Sequence, residues 1–400
     1  MADNRKSSED VLSTCGAGRR SNPAMLYRRR MIVLSVLAVV IAIVSLSLGR
    51  YSVPVGDIAI VLYAMLIQGV NGCLQWLAAV GAWLCQLFGF VDMAHALTAN
   101  PSQLDYSAEA TMSEAYITIV HVRFPRIMVA LLVGAALSVA GAAYQGMFQN
   151  PMASQDVLGA SSGAAFGAAL GILLGAGSIF ISVAAFAFGL VAVFVSYAIS
   201  RTSRSNPILS MVLAGMVISA LFSSGTSFIK LVADTEDALP AITYWLMGSL
   251  ASIRPSDVIP VFLLLLLAGV PLFLLRWRIN LLATGEEEAH SLGLNASALR
   301  IAVILCATFM TATCVSVSGL IGWVGLVIPH FCRLLFGNDY RRVIPACMVL
   351  GAVFLLVVDD FSRLLVTSEI PLGILTSFVG APVFVWLIMK GGGTGAPRGR

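Results

Sequence analysis

The sequence predicts an all-α, polytopic membrane protein of about ten transmembrane helices, and three observations carry that prediction. Hydrophobic residues make up 58% of the 400 and charged ones only 11%, against about 25% charged in soluble domains. A water-facing surface cannot be assembled from so few charges. Apolar runs close to the ~20 residues that a bilayer demands recur along the chain. The basic residues fall between those runs instead of forming one basic face, which argues against nucleic-acid binding.

Residues 1–30 are polar and end in Arg28-Arg29-Arg30; they read as a disordered cytoplasmic tail before a first span over 31–49. Residues 51–116 are ambiguous: a surface-lying extracytoplasmic insert or two extra spans. A span then runs from the Arg123-Phe124-Pro125-Arg126 stretch to about Gln149 and is broken by Asn150-Pro151. Residues 157–200 carry no charge and suffice for two spans turning near Gly175. Gly163, Gly167 and Gly171 share one face of the first of these, a seam for close helix packing.

Further spans are expected over 208–233, 258–275, 301–317, 320–335, 343–358 and 374–389. A short amphipathic piece covers 240–252, and a polar loop spans 276–300. Residues 391–400 form a second cytoplasmic tail, so 31–390 is the transmembrane domain. With both termini inside, only Arg50, Arg123, Arg126, Lys230, Arg254 and Arg363 of the 24 basic residues lie outside, as the positive-inside rule asks.

Chemistry-bearing constellations are scarce. No GxxxxGK[ST] occurs, so the chain cannot cradle a nucleotide by itself. The seven cysteines form no CxxC pair and read as small buried hydrophobes. His95, His121, His290 and His330 are not at ligand spacing; His330 reads as a buried hydrogen-bonding residue, and no metal or cofactor is expected on this chain. Asp359 and Asp360 are intramembrane carboxylates and hence candidates for an ion path, but local pairing with Arg363 is the stronger reading. Arg123 and Arg126, three apart on a helical start, suit either headgroup anchors or a docking site on the outer side. Gly285-Glu286-Glu287-Glu288-Ala289 suits a short helix with an acidic first turn that stops at Gly293.

One stretch stands out, Gly319 to Arg333, where three glycines, a proline, a histidine and an arginine interrupt lipid-grade sequence. Membrane proteins keep such residues where a helix breaks or packs tightly. Together with Gly337-Asn338-Asp339-Tyr340-Arg341, Glu369-Ile370-Pro371-Leu372-Gly373 and Gly380-Ala381-Pro382, it resembles the permeases of the FecCD/BtuC type over roughly residues 120 to 390. These are the membrane halves of ABC importers for iron-siderophores, haem and cobalamin.

The resemblance implies a homodimer or a pair with a paralogous permease, two cytoplasmic ATPase subunits that hold the ATP and Mg, and a periplasmic or lipid-anchored binding protein. It implies a coupling loop with Gly285, Glu286, Glu287, Ala289, Leu292 and Gly293 against the ATPase, where an unpartnered solvated loop is the plainer alternative. It implies docking of the binding protein on Arg123, Arg126 and Arg363, and a gate or path at Trp245, Gly248, Gly322, Trp323 and Pro329. Small departures from the family pattern are Met152, Gln155 and Trp323. The expected activity is import of an iron chelate across the inner membrane without covalent chemistry; the competing class is an ion-gradient-driven transporter.

Overall fold

The computed structural model describes residues 23–49, 56, 58–66, 117–202, 207–285, 293, 295–366 and 368–391. Glu286, Glu287, Ala289 and Leu292, and most of 51–116, lie outside the described residues. Within them α1 (Pro23–Ser47) begins at Pro23, not Met31, so residues 23–30 are helical and not tail. Proline is well placed in a first turn, where its missing N–H has no partner to lose. Tyr27 then packs edge-on against Phe336, ring centroids 5.5 Å apart, which holds the added turns in place.

A short helix covers 58–66. A π-helical turn (Thr118–Arg123) leads into α2 (Phe124–Met147), and α3 (Ala160–Leu173) and α4 (Ser178–Thr202) follow. Next come α5 (Pro207–Val232), the short α6 (Ala238–Met247), α7 (Pro255–Thr284) and α8 (Ala296–Ser318). The chain ends on α9 (Val324–Phe336), α10 (Tyr340–Leu364) and α11 (Leu372–Gly391). Seven of these segments are long and apolar enough to cross a membrane, and α3, α9 and α11 are shorter apolar helices. They match the crossings expected from sequence, with α6 as the extra short piece.

The polar loop is shorter than the reading of 276–300. No glycine or proline stands between Leu275 and Gly285, so α7 continues to Thr284 and stops where Gly285 adopts φ 141°. Asn280 ties the extension to α10: its amide donates to Asp339 at 2.6 Å and its oxygen accepts from the Tyr340 N–H at 2.7 Å. Arg276 and Arg278 are thus helical, and Arg300 is buried inside α8.

Helix α2 is the centre of the bundle, with 78% of its most apolar window buried. It is touched by α7, α8, α9 and α10. Small residues let it come that close. A Cβ on Gly141 would stand 1.9 Å from the Gly325 carbonyl oxygen of α9, and one on Gly134 2.3 Å from that of Gly351 on α10. The predicted seam on α3 also forms: Cβ atoms on Gly163 and Gly167 would each meet a carbonyl oxygen of α4 at 2.4 Å. Helices in lipid gain no hydrophobic attraction for one another, so close backbone approach is one of the main places where this fold gains its packing.

Candidate functional site

The stretch singled out in the sequence breaks as expected. Helix α8 ends at Ser318, residues 319–323 are not helical, and α9 starts at Val324. Trp323 takes φ 69°, an uncommon conformation for a bulky residue. It is held there by Gly380, whose missing Cβ would lie 2.5 Å from the Trp323 Cβ, and by Phe384, 6.1 Å away between ring centroids.

The end of α6 and the start of α11 close on this break. The Ser249 N–H donates to the Ser318 carbonyl, and the Leu372 N–H donates to the Gly248 carbonyl, both at 2.8 Å. Gly248 has φ 75° and Gly319 φ 68°. A Cβ on Gly319 would stand 2.4 Å from the Trp245 carbonyl oxygen, and one on Gly248 2.5 Å from that of Leu320. Trp245, Gly248 and the break therefore form one unit joined by backbone.

Beside that unit lies a cavity of about 600 Å³ lined by Leu246, Met247, Leu320, Gly322, Gly373, Ile374, Ser377 and Phe378. Its lining has no charge and a single hydroxyl side chain, and it opens toward the flank where Phe378 is 75% exposed. Gly322 leaves open space, with nothing within 4 Å of a Cβ built there. Of the three glycines in the stretch, it alone makes no close approach.

Pro329 does not line the cavity; it is buried in the middle of α9. Proline lacks the N–H that would have bonded the carbonyl of Gly325, one turn earlier. The Gln145 amide of α2 donates to that carbonyl at 3.3 Å, and its oxygen accepts from Arg333 at 2.6 Å. One buried side chain thus repairs the kink and anchors the arginine. Sequence reasoning passed over Gln145, although a lone amide in an apolar helix was the available signal. Gln155, one of the departures from the family pattern, donates to the Ile321 carbonyl at 3.5 Å and so braces the break itself. His330 is half-buried, and no hydrogen bond of its side chain is found among the described residues, so it is not the buried hydrogen-bonding residue expected. No group of three or more His, Cys, Asp or Glu that could hold a metal occurs among the described residues.

At the end of the bundle where α1 and α10 finish and α2 begins, Arg123, Arg126 and Arg363 meet as the topology requires, but all three are buried. Arg126 grips Asp359 with Nε 3.0 Å from both carboxylate oxygens and a second nitrogen at 2.8 Å, and it donates to Glu369 at 2.9 Å. Arg363 pairs with Asp359 at 3.3 Å and more closely with Asp360, which accepts from Ser45 of α1 at 2.6 Å. The local pairing read from the sequence is present. Arg123 donates to the Leu46 and Ser47 carbonyls at 2.6 and 3.2 Å, closing the C-terminus of α1 with a cation as its dipole favours. Three cations and three carboxylates cancel, so α1, α2, α10 and the following loop share one neutral ionic knot. A free, outward-pointing arginine pair is not what the helices present.

A bundle of apolar spans with a broken helix and an uncharged cavity beside the break is the architecture of a membrane permease. The chain matches the FecCD transport family over residues 77–390 and belongs to it; it is a permease subunit of an ABC importer, not itself an enzyme. It is 36% identical over 366 residues to the molybdate import system permease protein MolB of Haemophilus influenzae, covering 91% of this chain and 96% of that one. It is 41% identical to a probable iron chelatin transport system permease protein of Helicobacter pylori, over 70% of this chain and 84% of that one. A solved inward-facing conformation of a metal-chelate type ABC transporter matches with TM-score 0.73 and 33% identity, covering 91% of this chain and 99% of that chain.

Proposed function

We propose that the chain carries a metal chelate, an iron chelate such as a ferric siderophore first and haem or the cobalt chelate cobalamin next, through a path completed by a second copy of itself. The observation that carries this reading is the cavity at the α6, α8–α9 and α11 junction: uncharged, about 600 Å³, and open on the flank where another subunit would close it. A bulky chelate with an apolar exterior loses little on entering such a lining. A bare ion would leave its hydration with nothing to replace it.

In this reading the ionic knot faces the exterior and the 285–295 segment faces the cytoplasm. An ATPase pushes on Glu286 to Glu288, and a binding protein delivers cargo at the knot. Because Arg126 is already paired, docking through it exchanges Glu369, 30% exposed on its side chain, for a carboxylate of the partner. The ion-gradient alternative loses its support, since Asp359 and Asp360 are both paired with arginine.

Reconstitution with the cognate ATPase and binding protein, followed by ATP-dependent uptake of iron-loaded siderophore, tests the reading. Molybdate is the second cargo to assay, because a relative matched over 91% of this chain is named for it. Uptake of molybdate and not of any iron chelate would replace the first proposal with the second.

A further inference from the structure

On an exposed flank of the bundle, with no lining residue shared with the cavity, α7 and α10 leave a groove of about 320 Å³ over α2. Its walls are Phe262, Leu266, Gly269 and Phe273 of α7 and Ile344 and Met348 of α10, and its floor includes the small Ala135 and Ala136 of α2. No polar side chain lines it. From Phe262 to Phe273 it runs roughly 16 Å at the helical rise, about half the ~30 Å hydrocarbon core. That is the depth of one leaflet.

Both walls continue into arginine. On α7 the positions 262, 266, 269, 273 and 276 fall on one helical face, and on α10 so do 341, 344 and 348. The Arg276 guanidinium lies 3.9 Å over the Phe273 ring and donates to the Phe273 carbonyl at 2.8 Å, so it roofs the groove at this end. Arg341 sits 5.6 Å from the ring of the exposed Trp277, and Arg342 5.7 Å from that of Tyr27. The carboxylate nearby, Asp339, is engaged by Asn280 and by the Arg341 N–H. An apolar slot of leaflet depth therefore ends under a cluster in which, among the described residues, cations outnumber carboxylates.

We infer that this groove binds one anionic phospholipid, with an acyl chain along α7 and α10 and the phosphate at Arg276 and Arg341. The chemistry of the mouth selects the occupant. An apolar helix laid in the same slot would leave the guanidinium pair without a counter-charge, whereas a phosphate offers acceptor oxygens to both. A tryptophan at the mouth is the usual company of a headgroup. Anionic lipid at a membrane surface attracts arginine electrostatically.

The test is the full-length protein in detergent, with native mass spectrometry and thermal unfolding after addition of phosphatidylglycerol or phosphatidylcholine. One retained phosphatidylglycerol per chain is expected, together with a rise in Tm that phosphatidylcholine does not reproduce. Arg276→Gln with Arg341→Gln should lower phosphatidylglycerol retention at least tenfold, to the level of phosphatidylcholine. Gly269→Leu should abolish retention of both lipids while leaving the lipid-free Tm unchanged. Space exists for that side chain, because a Cβ on Gly269 meets only the Met310 methyl, 3.9 Å away. Equal retention of the two lipids by the parent protein overturns the inference, as does unchanged retention in the double variant. A photocrosslinker at position 266 that labels residues 67–116 in place of lipid would also overturn it, by giving the groove to the chain itself.

Discussion

Asp359→Asn removes one charge from the centre of the ionic knot while keeping the side-chain shape. Asp359 is 0% exposed and binds both Arg126 and Arg363. Its neutralisation leaves two buried guanidinium groups sharing Asp360 and Glu369. Removing one partner of a buried pair costs about 3–5 kcal/mol, most of it the burial of the uncompensated charge. Glu369→Gln is the control, because the same arginine loses a partner whose side chain is 30% exposed, for about 1 kcal/mol or less.

Unfolding in mixed micelles should therefore rank Asp359→Asn well below Glu369→Gln. Adding Arg126→Gln to Asp359→Asn should cost less than the two single changes summed, since partners in one network are not additive. An Asp359→Asn protein as stable as its parent, or less affected than Glu369→Gln, would refute the account. The same geometry makes charge reversal at Arg126 a poor test of docking: it would place a carboxylate against Asp359 and damage the fold first. Glu369→Gln is the cleaner probe, and binding-protein affinity in nanodiscs should rise several-fold.

Gly141→Val should prevent assembly of a folded permease, at more than about 3 kcal/mol, because the new Cβ overlaps the Gly325 carbonyl; protease resistance in membranes reports it. Gln145→Leu leaves the Gly325 carbonyl and Arg333 without their partner and should cost about 2 kcal/mol, measured in the same micelles. Glu287→Arg should leave insertion and thermal stability unchanged while abolishing stimulation of the ATPase by loaded binding protein. Normal stimulation in proteoliposomes would remove the coupling role from that segment.

Much of the fold was legible because spans in lipid are signalled by composition, and breaks by Gly, Pro and Asn at 150–151, 175 and 319. Element ends were less so. Helix α7 runs past Leu275, and α1 starts at Pro23, because arginines mark a membrane boundary in sequence but do not end a helix. For the site, the convergence of Trp245, Gly248 and the 319–323 break was in reach through the family resemblance. Burial of Arg123, Arg126 and Arg363 was not. The carboxylate partners of Arg126, Asp359 and Glu369, sit more than two hundred positions away, and nothing in a single sequence states that pairing. The role of Gln145 was hidden for the same reason, since its partner is a carbonyl freed by a proline on another helix.

Helix α2 is gripped at Gly134, Gly141 and Gln145 along its length and by Arg126 at its head, each time by α9, by α10 or by the loop just after α10. Those three helices behave as a keel: none can slide without dragging the other two through backbone contact. Outside the keel, α11 meets α9 and α10 at far fewer places, while α5 packs on α3 and α4 and α6 on α3 and α11; the rocking of a transport cycle is expected in those pieces.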